Sequence, residues 1–348
     1  MIQKTIIDYL CNLININTTI DSNNEIEGVL YIKEVFDNLG IENKIYEPVL
    51  GKGNIIATIK GKSDNKILLH SHIDTANYNS ENWLFPPDKA TITNNCVVGR
   101  GALDCKGLVS IWMEIMRNLS LNKHIPENTI IFMCSCDEEQ SGKYGTEWIL
   151  ENTNIIDNLK LVIGEGGGYP IELKSDYYFT IQTEEIYPYN SYELKRINES
   201  KKYSYDLINK ILNQALNLGY YNKNTLEFYN NIDFQGKRKI AKQSFYENID
   251  LILSRNINRN YTNIFSFIES ELKSINQNYK LLPTITPGYS DNRFFRYRKI
   301  PTLGFFPLDT RNNISGIHGN NEYISFKSLK LSYDILSKVV DFLSNYNY

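Results

Sequence analysis

Apolar residues recur at intervals of three and four over residues 2–14 and again over 24–39, where the run stops at Gly40. That spacing lines one face of a helix, and a glycine just past the last turn adopts the left-handed conformation that ends one. Short, continuously apolar runs follow at 54–60 (NIIATIK), 66–72 (KILLHSH), 129–135 (TIIFMCS) and 159–165 (LKLVIGE). Helical periodicity fills the gaps between them at 107–120 and 146–153. Strands apolar on both faces that alternate with helices predict an α/β domain, a mainly parallel sheet covered by helices on both faces. In such sheets functional residues gather beyond the carboxyl ends of the strands.

The pattern changes near residue 175. Long polar stretches there surround two helical segments, 205–219 and 263–275, and strand-like pieces such as YFTIQT and NIDLILS. The earlier style returns with IPTLGFFP (300–307) and an amphipathic helix over 325–344. The expected organisation is one domain assembled from 1–177 and 282–348, interrupted by an inserted α+β domain over 178–281. A length of 348 residues suits about two domains.

Charge and composition narrow the function. Lys and Arg total 37 against 40 Asp and Glu, a net charge of −3, so the basic excess that neutralises nucleic-acid phosphates is absent. No apolar run approaches the ~20 residues that span a bilayer, and polar breaks interrupt the N-terminal segment where a secretory leader needs a continuous apolar core. A cytoplasmic protein without nucleic-acid or membrane partners is expected. The five scattered cysteines suit reduced thiols.

Candidate chemistry sits at the predicted strand ends. His72 and Asp74 form an H-x-D pair just past an apolar strand, and at a spacing of two both side chains project to one side. A carboxylate so placed can accept the second ring N–H of a metal-bound imidazole, although H-x-D alone also describes an ordinary strand end. His70 shares that face and reads as a packed histidine. GRGALDCKG (99–107) places a single acid, Asp104, before a helix, where a helix cap would also explain it. Asp137, Glu138 and Glu139 follow the strand TIIFMCSC, and a solvated turn would account for three adjacent acids. Glu165 ends the strand LVIGE, in a GEGGG run that fits neither a dinucleotide fingerprint nor a P-loop.

Taken together these residues are more specific than any one of them. His72, Glu139 and Glu165 end three predicted parallel strands, and Asp104 and His318, in GIHGNNEY, join them. Such a mixed histidine and carboxylate set suits two Zn²⁺ ions, which can polarise a carbonyl and acidify a water that Glu138 is placed to deprotonate.

The order H-x-D, G-R-G-x-x-D-x-K-G, D-E-E, G-E and H-G-x-x-E resembles the M20 family of di-zinc metallohydrolases, which includes aminoacylases, acetylornithine and succinyl-diaminopimelate deacylases, and glutamate carboxypeptidases. The resemblance covers nearly the whole chain, more loosely over the inserted lid domain. It implies two Zn²⁺, with Co²⁺ or Mn²⁺ as substitutes, bridged by Asp104. His72 and Glu165 would hold one ion, and Glu139 and His318 the other. Asp74 would orient His72, Glu138 would be the general base, and the Asp104–Cys105 peptide would be cis. PGYSDNRFF (287–295) is similar to the family loop whose arginine meets a substrate carboxylate, which points to Arg293. Arg255 stands where the family's lid often carries a substrate-binding arginine.

One feature departs from that pattern. Members usually carry a histidine early in the lid, and here no histidine lies between His124 and His318. Tyr187, Tyr189, Asn190, Tyr192 and Arg255 are the alternative donors, and homodimerisation through the lid stays open. The expected activity is hydrolysis of an amide bond beside a free carboxylate in a small N-acyl amino acid or short peptide. The alternatives are a carboxypeptidase or dipeptidase of the same family, or a binding protein that kept the fold.

Overall fold

Helix α1 (Lys4–Asn15) buries Ile6, Tyr9, Leu10, Leu13 and Ile14, the spacing expected from the sequence. Helix α2 (Glu25–Asn38) buries Val29, Ile32 and Phe36, and the chain turns away where Gly40 takes a φ of 66°. The computed structural model describes residues 4–122, 125–173, 175–185, 259–286 and 290–348. The predicted lid helix at 205–219, the strand NIDLILS, the early-lid donors Tyr187, Tyr189, Asn190 and Tyr192, and Arg255 lie outside the described residues.

The chain divides into two compact units, Met1–Glu165 with Phe294–Tyr348, and Gly166–Arg293. In the first, the elements are β1 (Glu42–Val49), β2 (Lys52–Ile59), β3 (Lys66–His72), β4 (Thr91–Ile92), β5 (Cys96–Val98), α3 (Lys106–Leu121), β6 (Thr129–Ser135), α4 (Trp148–Asn152) and β7 (Leu159–Gly164). The second contains β8 (Pro170–Leu173), β9 (Asp176–Glu185), α5 (Arg259–Ile275) and β10 (Tyr279–Thr286). The first resumes with β11 (Thr302–Gly304), β12 (Tyr323–Ser325) and α6 (Phe326–Ser344).

The main sheet of the first unit runs β1-β2-β6-β3-β7-β11. Strands β6, β3, β7 and β11 are mutually parallel, whereas β2 is antiparallel to both β1 and β6. The sheet is therefore mixed, and the sequence reading missed β1. Its residues alternate between exposed and half-buried at the sheet edge, so it lacks the apolar run that marks the buried strands. Every residue of β6 is buried, as is every residue of β3 except Lys66.

Both faces are covered. On one, Leu68, Ile131, Met133 and Val162 pack with Ile149, Leu150 and Phe295. On the other, Phe36 of α2 meets Phe132 edge-on at 5.4 Å. The fully buried Trp112 of α3 donates its indole N–H to the carbonyl of His70 at 3.2 Å. Each such large apolar side chain contributes about 1.5–3 kcal/mol through burial. A small second sheet, β12-β5-β4, sits beside the loop 99–104. In the second unit β9 pairs antiparallel with β8 and parallel with β10, and α5 packs on β10.

A buried ion pair ties α2 to the sheet. The carboxylate of Glu25, with no exposed surface, bonds Lys52 Nζ of β2. Burial raises the Glu25 pKa, and the bond to Lys52 opposes that rise. Removing one partner of such a pair strands a charge and typically costs ~3–5 kcal/mol, whereas an apolar replacement of both is close to neutral. Lys52→Met is thus expected to lower unfolding stability by that amount, and Glu25→Leu/Lys52→Met to recover most of it in urea titrations. A loss below ~1 kcal/mol in the single variant would show that the pair does not hold α2.

Candidate functional site

The parallel register sets three strand ends side by side. His72 lies opposite Ser135 across β3 and β6, and β7 ends one residue before Glu165. Asp137, Glu138 and Glu139 leave β6 at the same edge. Asp137 holds a left-handed φ of 66°, and its carbonyl accepts the amides of Ser141 and Gly142, so the turn is tight. Glu138 is 7% exposed, and only 4% of the Glu139 side chain is exposed. A solvated acidic turn does not describe this segment.

Asp74 meets His72 with both its main chain and its side chain. The closest acceptor to His72 Nδ1 is the main-chain carbonyl of Asp74, at 2.9 Å, while the Asp74 carboxylate lies 3.5 Å away. That carboxylate accepts the amide of Glu139 at 2.9 Å. Asp74 therefore fixes the His72 ring through its carbonyl, with one carboxylate oxygen nearby, and the Glu139 segment through the other carboxylate oxygen.

The loop 99–105 delivers Asp104 to the same place. Helix α3 has Cys105, not Asp104, at its N-cap position, which leaves the Asp104 carboxylate for other partners. Its Oδ1 lies 3.0 Å from His72 Nε2 and its Oδ2 lies 3.1 Å from His318 Nε2. One carboxylate thus faces two imidazoles, one with each oxygen. Glu165 Oε2 is 3.3 Å and Glu138 Oε2 is 3.9 Å from His72 Nε2. Glu139 Oε2 is 2.8 Å from His318 Nε2. The Asp104–Cys105 peptide is cis, as the resemblance implies.

Protonation follows from that crowding. Hydrogen bonds to Asp104 and Glu139 push the His318 pKa up to about 11. Burial disfavours a charged His72, yet the anionic neighbours, Glu165 and Asp104 among them, outweigh it and raise its pKa well above the usual value. Burial, followed by the charge on Asp104, raises Glu139 to about 7. Burial also opposes the charge on Asp104, but hydrogen bonds to His318 and His72 outweigh it and lower the pKa. Four carboxylates facing two imidazoles, with His72 buried and His318 at the open side, form a cluster that calls for cations. Carboxylate oxygen and imidazole nitrogen are the donors that borderline and hard divalent ions take.

Donor atoms of Asp104, Glu139 and His318 lie within 4.8 Å of one another, and so do those of His72, Glu165 and Cys105. Cys105 was not singled out in the sequence. Its Sγ contacts the main-chain N and O of His72 at 3.3 and 3.4 Å, and burial pushes its pKa well up. His70 is a packed residue. Its Nε2 lies 3.1 Å from Ser135 Oγ and 3.0 Å from Thr146 Oγ1, and burial pushes its pKa down to about 3.

Arg293 belongs to the second unit, where it is 4% exposed and donates to the Ser290 carbonyl at 2.8 Å. Glu322 carries the clearest contribution that residue-by-residue reading missed. Its carboxylate accepts from Arg100 Nη1 (2.7 Å) and from the amides of Gly101 (2.9 Å), Leu103 (2.7 Å) and Asp104 (3.0 Å). The motif H-G-x-x-E contained it, but nothing in the local sequence marks it as buried.

Comparison with known proteins agrees with this geometry. The family model described as "Peptidase family M20/M25/M40" matches residues 68–341. A probable succinyl-diaminopimelate desuccinylase of Staphylococcus aureus is 28% identical over 167 residues, covering 48% of this chain and 41% of that protein. An acetylornithine deacetylase of Buchnera aphidicola is 29% identical over 174 residues, covering 47% of this chain and 44% of that protein. The matches thus span about two fifths of these curated relatives' own length. Among solved structures, human carnosine dipeptidase 1 superposes with a TM-score of 0.63 at 11% identity, over 97% of this chain and 96% of that one. An M20 family metallo-carboxypeptidase from Sulfolobus solfataricus gives 0.63 at 16%, over 98% and 99%. Among the described residues no helix is long and apolar enough to cross a membrane. With that family model matched over residues 68–341, most of its 348 residues, the chain belongs to the M20/M25/M40 peptidase family.

Proposed function

We propose that this chain is a di-zinc amidohydrolase that cleaves an amide bond beside a free carboxylate, releasing an amino acid from a small N-acyl precursor. The observation that carries the proposal is the position of Asp104, whose two oxygens point to His72 at 3.0 Å and to His318 at 3.1 Å. His72 and Glu165 would hold one ion and Glu139 and His318 the other, with Asp104 placed to serve both. Co²⁺ or Mn²⁺ can substitute. The ions supply Lewis-acid activation of the amide carbonyl and of the attacking water.

The protein's own groups do the rest. Glu138 accepts the proton of the attacking water and returns it to the leaving nitrogen. Its buried position on the His72 side of the cluster suits that role. The Asp74 carbonyl fixes the His72 ring, so that Nε2 faces the cluster. Arg293, with Arg255 as a second candidate, binds the substrate carboxylate through the paired N–H groups of its guanidinium, and residues 178–281 act as a lid-type domain. The names of the two sequence relatives, a desuccinylase and a deacetylase, favour acyl substrates over peptides.

Turnover of N-acyl amino acids beside dipeptides, with zinc content measured on the same sample, tests the proposal. Hydrolysis of N-acyl substrates with two zinc equivalents is expected. Dipeptide cleavage alone would move the assignment to a dipeptidase, and stoichiometric zinc without turnover of either would refute hydrolysis.

Two variants separate the roles. Glu138→Gln preserves shape but removes the proton acceptor, so bound metal is expected to persist while kcat falls by ~10²-fold or more. Near-normal turnover would rule out Glu138 as the base. Asp104→Ala removes a ligand common to both positions and is expected to lose both metal equivalents by elemental analysis. Two retained equivalents would contradict bridging.

A further inference from the structure

Glu322 holds no position in the cluster, yet it reaches both loops that build one half of it. Antiparallel pairing of β12 with β5 sets Tyr323 opposite Val98, which brings Glu322 against the start of the loop that carries Asp104. Its main-chain carbonyl accepts the amide of Gly99 at 3.0 Å. Its side chain has no exposed surface. There it collects four donors: Oε1 takes the amides of Leu103 and Asp104, and Oε2 takes Gly101 N–H and Arg100 Nη1. Gly101 aims its amide inward with a φ of 86°, a conformation that favours glycine.

The other arm runs through Arg100. Its guanidinium bonds Glu322 through Nη1 and the carbonyl of Gly319 through Nη2, both at 2.7 Å. Gly319 follows His318 directly. The Asp104 loop and the His318 loop are therefore joined through one buried carboxylate and one guanidinium, independently of any contact between the two side chains themselves.

We infer that Glu322 is a positioning residue for the metal position formed by Asp104, Glu139 and His318, setting the spacing of Asp104 and His318 before metal binds. The inference rests on the di-metal reading above. Only an ionised carboxylate satisfies four converging donors, because an amide has a single acceptor oxygen. In Glu322→Gln the amide NH₂ must face either the Leu103 and Asp104 amides or the Gly101 and Arg100 donors. The first arrangement frees Asp104, and the second loosens Arg100 and with it the Gly319 carbonyl beside His318. Both outcomes damage the position that needs Asp104 and His318 together. The position of His72 and Glu165 shares Asp104 but keeps two ligands that Glu322 does not touch, so it is disturbed less. Partners of this kind, one bond removed from the metal, typically change metal affinity by ~10–100-fold.

The test is stepwise Zn²⁺ titration of metal-free full-length protein, with bound equivalents measured after equilibrium dialysis and the melting temperature recorded for each metal-free variant. The wild-type chain should bind two equivalents. Glu322→Gln should weaken one equivalent by ~10-fold or more and the other, which shares only Asp104 with it, by clearly less. Arg100→Lys keeps a cation beside Glu322 but lacks the planar fork whose two nitrogens reach the Glu322 carboxylate and the Gly319 carbonyl separately. It should show the same selective loss with a smaller disturbance of folding, and it carries the test if Glu322→Gln fails to fold. Unchanged affinities for both equivalents would overturn the inference, as would an equal loss at both that tracks the melting temperature, because that is what a merely structural role produces. Fewer than two equivalents in the wild-type chain would remove the di-metal reading itself.

Discussion

Mutual repulsion among crowded, largely buried carboxylate side chains governs the arrangement of this site. Asp104, Glu138, Glu139 and Glu165 converge on two imidazoles at one edge of a sheet whose strands are otherwise apolar. Two unit charges 4 Å apart interact by about 1 kcal/mol in water and about 4 kcal/mol near a protein surface, so such a cluster is stable only with compensating positive charge. Protons on His72 and His318 provide part of it, which is why both ring pKa values are raised. Divalent cations provide more with fewer particles and fixed geometry, and the donors available are those they prefer.

Holding that much charge in place requires a frame that does not yield. The parallel strands β6, β3 and β7 place His72, the 137–139 turn and Glu165 along one edge. Asp104 and His318 come from loops and are secured separately. Lys106, two residues beyond Asp104, is buried and donates to the carbonyls of Leu13 and Ile16, at the end of α1, both at 2.9 Å. Burial pushes its pKa down to about 7. On the other side Glu322 gathers the amides of the same loop. Asp104 is thus pinned from both flanks, and neither anchor is itself a metal donor.

Much of this arrangement is legible in the amino-acid sequence. The apolar runs at 66–72, 129–135 and 159–165 marked the buried strands because a strand covered on both faces has no polar alternation to hide it. Acids and histidines at their ends stood out against that background. What escaped notice lacked such contrast. Strand β1 lies at an edge and reads as polar, and β5 and β12 are three residues each, too short for a periodic signal. Glu322 stood only as the last letter of H-G-x-x-E, since its burial depends on pairing between segments 218 to 222 residues apart. The backbone role of Asp74 was likewise invisible, because a sequence specifies side chains and a carbonyl belongs to every residue.

The central claim is that one carboxylate lies between two metal positions, and anomalous diffraction at the zinc edge from zinc-loaded crystals tests it most directly. Two anomalous peaks about 3.5–4 Å apart, one beside each oxygen of Asp104, are the result the account predicts. A single peak, or two peaks that do not share Asp104, would contradict it.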